Sequence, residues 1–503
     1  MKFAELLSLV KVVSRNKIKQ VDTLGGDAVE QSKVGQLYHD LQEDKYKSGE
    51  EASFAFFGRS RYRKHYFNRL KRKLREKMVD SLFLIDLSRP DFSDYQHAYY
   101  SCYRYAAAVQ ILIAGYSRRA AIPLAKLALR KAIKYEFTDI VLQMAKILRF
   151  HYGAMEGELK GFHKFDQLIL DKQAIYQTEL ELEGKYTELV MYFNAPKPDR
   201  VDFYAQARAY AAIAEERLQA YDSYKVGLYG FSIVTVQHQI IYDHEQLLRN
   251  CDRAVGYFKK KLSRSSAVAL FTFSFKKIPS LIVLQEFDEA ERVIDYCLGL
   301  VKKGRANYFK VLEYAILLYF HAQQYEQALQ TLQKAYTTEG FEGQTKQSAE
   351  SWRLYDAYLH LFYEVGLVTA RPSTQKGFRL KRLLNEVPKY SKDKRGANVT
   401  ILIIQVLFLL QQGKNSEIID RMEALKTYTH RYLRRGEHFR SNCFLKMLHK
   451  IPACSFNKKA VLRRSAPFRK RMGEMTFSET QQNLEAEIVP YEHLWKIAIN
   501  LLD

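Results

Sequence analysis

Apolar residues recur at helical spacing along almost the whole chain, and little interrupts them. The 503 residues include only 10 Pro and 23 Gly, too few for a turn-dense β-sandwich and ordinary for helices joined by short loops. AYYSCYRYAAAVQILIAGY (98–116), IPLAKLALRKAIKYEF (122–137) and DIVLQMAKILRFHYG (139–153) follow one another with short breaks. The first of these is apolar nearly all round and predicts an interior helix. A polar helix former spans Phe162 to Tyr192, and Ala195-Pro196-Lys197-Pro198 breaks the chain after it. The pattern predicts an all-α protein. Its least secure segment is Gly230 to Ile241, where Ile233, Val234, Val236, Ile240 and Ile241 are β-branched.

A chain this long exceeds one ordinary core, so several domains or an elongated array are expected. Apolar residues make up 47% and charged residues 27%, which argues against wholesale disorder. There are 35 Tyr; on a helix, Tyr can bury its ring and leave its hydroxyl at the solvent edge. Cys102, Cys251, Cys297, Cys443 and Cys454 are odd in number and widely spaced, which predicts buried reduced thiols in a cytoplasmic protein. The N-terminal apolar stretch is broken by Glu5 and Lys11 and reads as an amphipathic helix, not an export signal. The longest apolar run, Val399 to Leu410, contains Gln405. It is about half of the ~20 residues a membrane span needs and predicts a helix buried on all sides.

Three segments in the middle align without gaps. They are Leu248, Cys251, Val255, Phe258; Phe287, Ala290, Ile294, Cys297; and Tyr325, Ala328, Leu332, Ala335. Each set marks one helix face, and successive first members are 39 and 38 residues apart. This pattern resembles the tetratricopeptide repeat, best over about 230–365. The resemblance assigns Tyr325 to the turn-closing aromatic, Ala328 to the small packing position, Leu332 to the plug and Tyr319 to the aromatic of the preceding helix. A period above the usual 34 and the missing closing proline depart from that family. The resemblance implies an α-solenoid, an α-α superhelix of stacked helix pairs. The expected layout is an N-terminal helical unit (1–90), a repeat array (91–370) and a basic C-terminal helical region (371–503) whose last helix, near Glu492 to Leu502, returns to cap the stack.

The formal charge of +23 is concentrated. Residues 59–77 carry ten Lys/Arg against Glu76, or +9, and residues 426–471 carry fourteen against Glu437, or +13. Such stretches mark where an anionic partner could dock. SGEEASFAFFGRSRYRKHYFNRLKRKLREKMVDSLF (48–83) reads as a short helix, a turn at Gly58 and a long basic helix from about Tyr62. That layout resembles a helix-turn-helix unit. The resemblance would place Arg61, Arg63, Lys64 and Asn68 at the reading end and Arg72, Lys73 and Arg75 on phosphates. The helix's apolar stripe, Phe67, Leu70, Leu74, Met78 and Leu82, would pack it on the solenoid.

The second basic stretch turns irregular past Arg434, with Pro452 and Pro467. It offers Lys458, Lys459, Arg463, Arg464, Arg469 and Arg471, interleaved with Tyr432, Phe439, Phe444, Phe456 and Phe468. Interleaved rings and cations suit single-stranded nucleic acid. They also arise whenever a helix buries an aromatic face.

Nothing reads as catalysis. HExxH, CxxC, GxSxG and Walker-type motifs are absent, and Gly25-Gly26 is too isolated to cradle a phosphate. His238 and His244 point away from each other on a helix, and Asp243-His244-Glu245 reads as a polar helix start. No cofactor or metal is expected. The leading expectation is a non-enzymatic scaffold that binds a peptide or partner helix in a repeat groove, its basic ends adding affinity for an acidic surface. A nucleic-acid-binding regulator is the alternative, and an enzyme with a dispersed site comes third.

Overall fold

A computed structural model describes residues 3–15, 32–86, 94–194, 200–261, 267–372, 397–432, 439–475, 484 and 487–502. These are almost wholly helical, with no strand among the described residues. The chain divides into two compact units, Met1–Lys172 and Gln173–Asp503. The breaks expected at 195–198 and near 90 lie outside the described residues.

The first unit opens with α1 (Phe3–Arg15), α2 (Lys33–Gln42), α3 (Gly49–Phe57) and α4 (Arg63–Leu82). Ser48 caps α3 by accepting the Glu51 N–H (3.2 Å), while the Glu51 carboxylate accepts the Lys47 N–H (2.8 Å). Gly58, at φ +53°, ends the helix. Helix α4 buries Phe67, Leu70, Leu74 and Met78 against Leu6, Val10, Leu37, Leu41 and Ala52. Its stripe thus completes a small core with α1–α3. Spacing fixes which face of a helix is apolar, not what covers it.

Next come α5 (Asp94–Ala114), α6 (Arg118–Lys134) and α7 (Thr138–Phe150), which ends in a π turn at His151–Met155. The apolar sequence of α5 does not make it interior. Ala98, Cys102, Ala106 and Val109 are buried, whereas Tyr99, Tyr100, Tyr103 and Ile111 are exposed. Among the described helices α6 and α7 pack on it, so one face is covered, and the tyrosines on the other tolerate water through their hydroxyls. Tyr103 donates to Asp139 of α7.

Helix α8 (Leu159–Asn194) begins in the first unit and ends in the second. The second unit continues through α9 (Arg200–Ala220), α10 (Tyr224–Ile240), α11 (His244–Lys260), α12 (Ala267–Val283), α13 (Phe287–Leu300), α14 (Ala306–His321), α15 (Tyr325–Thr337) and α16 (Lys346–Glu364). Past the stretch 373–396 follow α17 (Ala397–Gln411), α18 (Asn415–Tyr432), α19 (Phe439–Ala453), α20 (Lys458–Gly473) and α21 (Tyr491–Asn500). From α9 to α16 each helix packs on the next.

The β-branched segment is helical. Residues Gly230 to Val236 of α10 are all buried, and packing overrides propensity. Asn250 of α11 pins α10 by donating to Phe231 O (3.0 Å) and Thr235 Oγ1 (2.9 Å). Residues Thr400 to Leu410 of α17 are buried on every side, Gln405 included, as expected. No described helix is long and apolar enough to cross a membrane.

One turn recurs at six connections. Tyr116, Glu136, Tyr242, Gln285, Gln323 and Gly413 adopt φ between +58° and +67°, and the next helix begins two residues later. In each, the N–H after the left-handed residue reaches back five residues to a helix carbonyl, as from Gln324 to Tyr319 (2.8 Å) and Glu286 to Leu281 (2.9 Å). This is a Schellman closure. Five of the six left-handed positions lack glycine, so the sequence carried no glycine signal there.

The turns also correct the alignment of the first segment. Turn residues Tyr242, Gln285 and Gln323 make His244, Leu247, Cys251 and Ala254 equivalent to Phe287, Ala290, Ile294 and Cys297. The Leu248 series is therefore one helical turn late. A shift of four residues lands on nearly the same face, so periodicity alone could not resolve it.

A side chain in the left-handed region costs roughly 1–2 kcal/mol, and glycine does not pay it. Gln323→Gly should accordingly raise unfolding free energy by about 0.5–1 kcal/mol after the glycine's larger entropy loss. Urea titration reads this directly, and a lower midpoint would mean that Gln323 is not left-handed in solution.

Candidate polyanion interface

Helix α4 is a charged rod on a packed base. It carries eight Lys/Arg against Glu76 and Asp80 over Arg63–Leu82, or +6. Arg61, Lys64, Arg72 and Lys73 are exposed, and Arg63 and Arg75 half-buried. The Arg72–Glu76 pair (3.8 Å) is exposed at both ends and contributes little to stability. The first group lies at the start of the helix. Arg72 and its neighbours follow about two turns later, facing away from the buried stripe.

The second basic stretch is more ordered than its sequence suggests. Pro452 falls in the last turn of α19 and Pro467 inside α20, so the irregular region is a helical pair. Pro467 is exposed. Asn457 starts α20 by accepting the Ala460 N–H (3.0 Å). Over Lys458–Gly473 the helix has seven cations and no acid. Val461, Ser465 and Met472 face inward, while Lys459, Arg463, Arg464, Arg469 and Arg471 are exposed and Lys458 half-buried.

The rings here point the other way. Phe444 is fully buried, and Phe439, Phe456 and Phe468 pack against the same core. Lys446 and Lys450 lie over the Phe468 ring (5.8 and 5.5 Å), and Arg471 over Phe439 (5.8 Å). Phe444 is therefore closed to base stacking, and the other three rings are partly covered. Tyr432 lies outside the residues whose side chains are described, as do Lys426, Arg431, Arg434 and Arg435.

Arg440 leaves the anion-binding set altogether. It is 4% exposed. Its Nε and Nη2 donate to the Glu487 carboxylate (3.0 and 2.8 Å), and Nη2 also donates to Glu492 (2.7 Å). Burial favours the neutral guanidine, but the two carboxylates outweigh it and hold Arg440 more firmly charged. Burial pushes the Glu487 carboxyl upward, with Arg440 opposing. Around this network His321 Nε2 lies 3.0 Å from Glu487 O, and the Tyr325 hydroxyl 3.3 Å from His493 Nδ1. Burial lowers both histidines to about 4, so both are neutral near pH 7. These contacts bring residues 487–493 back to α14 and α15. The glutamates that follow the basic stretch in the sequence were the available signal.

Other polar constellations hold helices together. Asp243 caps α11 by accepting the Gln246 N–H (3.1 Å), the polar helix start expected of Asp243-His244-Glu245. His244 Nδ1 lies 3.1 Å from Ser280 Oγ, and His238 Nδ1 lies 3.7 Å from Asp243. Asp356, buried beside Tyr336, is raised to about 7 by desolvation. Tyr210 donates to Glu188 and Tyr319 to Glu291 (2.7 Å each), joining neighbouring helices at their rims. All five cysteines are buried, and desolvation raises the Cys251 thiol to about 11. Among the described residues no three His, Cys, Asp or Glu converge as a metal site would require.

No protein-family model, curated protein or solved structure matches this chain. Its described residues are almost wholly helical and fall in two units, with strongly cationic helices α4 and α6 in the first and α20 in the second.

Proposed function

We propose that the chain is a non-enzymatic, cytoplasmic interaction scaffold, a tetratricopeptide-like α-solenoid that receives a peptide or partner helix, with α4 and α20 adding affinity for an acidic surface. The observation that carries this reading is the recurrent closure at Tyr242, Gln285 and Gln323, each joining a helix pair that packs on the next. Ala290 and Ala328, which occupy the small position, are fully buried, consistent with close helix approach. In this reading α21 serves as the cap, since residues 487–493 reach α14 and α15. Stacked pairs leave one row of helix faces open, and a partner reads the side chains along it.

Two measurements test it. Ala328→Phe should cost about 1–3 kcal/mol through overpacking between pairs, and an unchanged melting temperature would remove the array. Photo-crosslinking groups placed in turn at exposed Arg249, Arg292 and Gln330 should give a discrete protein adduct in the source cell. Failure at all three positions, with the protein folded and abundant, would overturn the scaffold reading.

A further inference from the structure

The corner where α3 turns into α4 sets exposed aromatic rings beside a dense run of cations. Phe54, Tyr62 and Tyr66 are 52%, 60% and 45% exposed. The rings form a connected series. Phe57 stacks on Tyr66 with centroids 5.8 Å apart and planes at 29°, and Tyr66 meets Tyr62 edge-on at 6.3 Å. Lys33 Nζ sits 4.6 Å from the Phe57 centroid, and Arg63 lies over Phe54 at 5.8 Å. Around them stand exposed Arg59, Arg61 and Lys64. From Arg59 to Arg75 the chain has no acidic residue.

We infer that this corner binds single-stranded nucleic acid, with Phe54, Tyr62 and Tyr66 stacking on bases and Arg59, Arg61 and Lys64 meeting phosphates. The charge selects a polyanion, and the rings decide which kind. A duplex keeps its base faces inside the stack and offers these rings nothing flat to lie on, whereas unpaired bases present a π-face at every residue. A lipid surface also attracts cations and aromatics, but an interfacial helix needs a broad apolar face. The apolar faces of α3 and α4 are already used in the core formed by Ala52, Phe67, Leu70 and Leu74. At this corner the rings that remain outside are two tyrosines and one phenylalanine, set among charges. The inference departs from a helix-turn-helix reading, in which the start of α4 would enter a major groove, and it goes beyond the scaffold reading, which gives α4 only an acidic surface.

The test uses the full chain and fluorescence anisotropy with a labelled mixed-sequence 12-nucleotide single strand, its duplex, and phosphatidylserine-containing vesicles. The single strand should bind best, with a log–log salt slope near −2 for three phosphates at about 0.7 each. Tyr62→Ala should weaken single-strand binding about tenfold, Tyr62→Phe should restore it, and duplex binding should not respond. Tyr62 is exposed, so these variants should melt like the wild type. Arg61→Glu should flatten the slope, while Arg463→Glu with Arg464→Glu should leave the dependence on Tyr62 intact. Duplex preferred over single strand, indifference to Tyr62→Ala, or Tyr62-dependent binding of vesicles tighter than of oligonucleotide would each overturn the proposal.

Discussion

Arg440→Ala should destabilise the second unit by about 3–5 kcal/mol, the usual cost of breaking a buried pair from one side. The guanidinium is enclosed. Besides Glu487 and Glu492, its Nη1 donates to Met472 O and Met475 O (3.3 Å each). Glu487 is 1% exposed and also accepts the Tyr491 N–H (3.0 Å). Truncating Arg440 leaves that carboxylate in low dielectric beside a second acid. Arg440→Lys should rescue little, because an ammonium cannot reproduce a fork that engages two carboxylates and two carbonyls at once. The double variant Arg440→Met, Glu487→Leu should recover much of the loss, since it removes both charges. Urea unfolding gives the magnitude, and hydrogen exchange across 487–500 should show α21 released first. A loss below about 1 kcal/mol for Arg440→Ala would mean that the pair is solvated.

Gly340→Ala should cost about 2–4 kcal/mol, combining left-handed strain with a steric clash. Gly340 has φ +91° and Gly304 φ +78°. A Cβ on Gly340 would lie 2.5 Å from the Gly304 carbonyl oxygen, and one on Gly304 would lie 2.5 Å from Glu339 O. The connections after α13 and α15 thus touch backbone to backbone, and neither can yield by rotating a side chain. Gly343, three residues on, has nothing within 4 Å of its Cβ direction and is the matched control. Thermal melts of the two alanine variants should separate clearly. Equal melting temperatures would show that the two connections do not meet.

Local physics made the helices legible. Hydrophobic spacing marked α4, α15 and α17 and the faces they bury, because a 3.6-residue period is written within a dozen neighbouring residues. The buried cysteines and the tyrosine hydroxyls at helix rims followed from residue chemistry in the same way. The positions of the cations were equally plain, and their fates were not. Arg440 and Arg463 look alike in a basic run, yet one is sealed against Glu487 and the other faces water, since burial depends on acids that arrive 47 residues later.

The same limit explains the remaining differences. An apolar helix such as α5 is interior only if enough partners cover it, and two do not. A pattern shifted by four residues keeps its face, so only the turn at Tyr242 set the register of α11. The rings near Arg61 and those near Arg469 had the same appearance in the sequence; the packing of α3 and α4 turned the first outward, and the core under α19 and α20 took the second inward. Sequence determined which residues could be helical, apolar or charged, because those properties are local. Tertiary structure alone decided which charges and rings remain available to a partner, because solvent exposure is set by segments far apart in the chain.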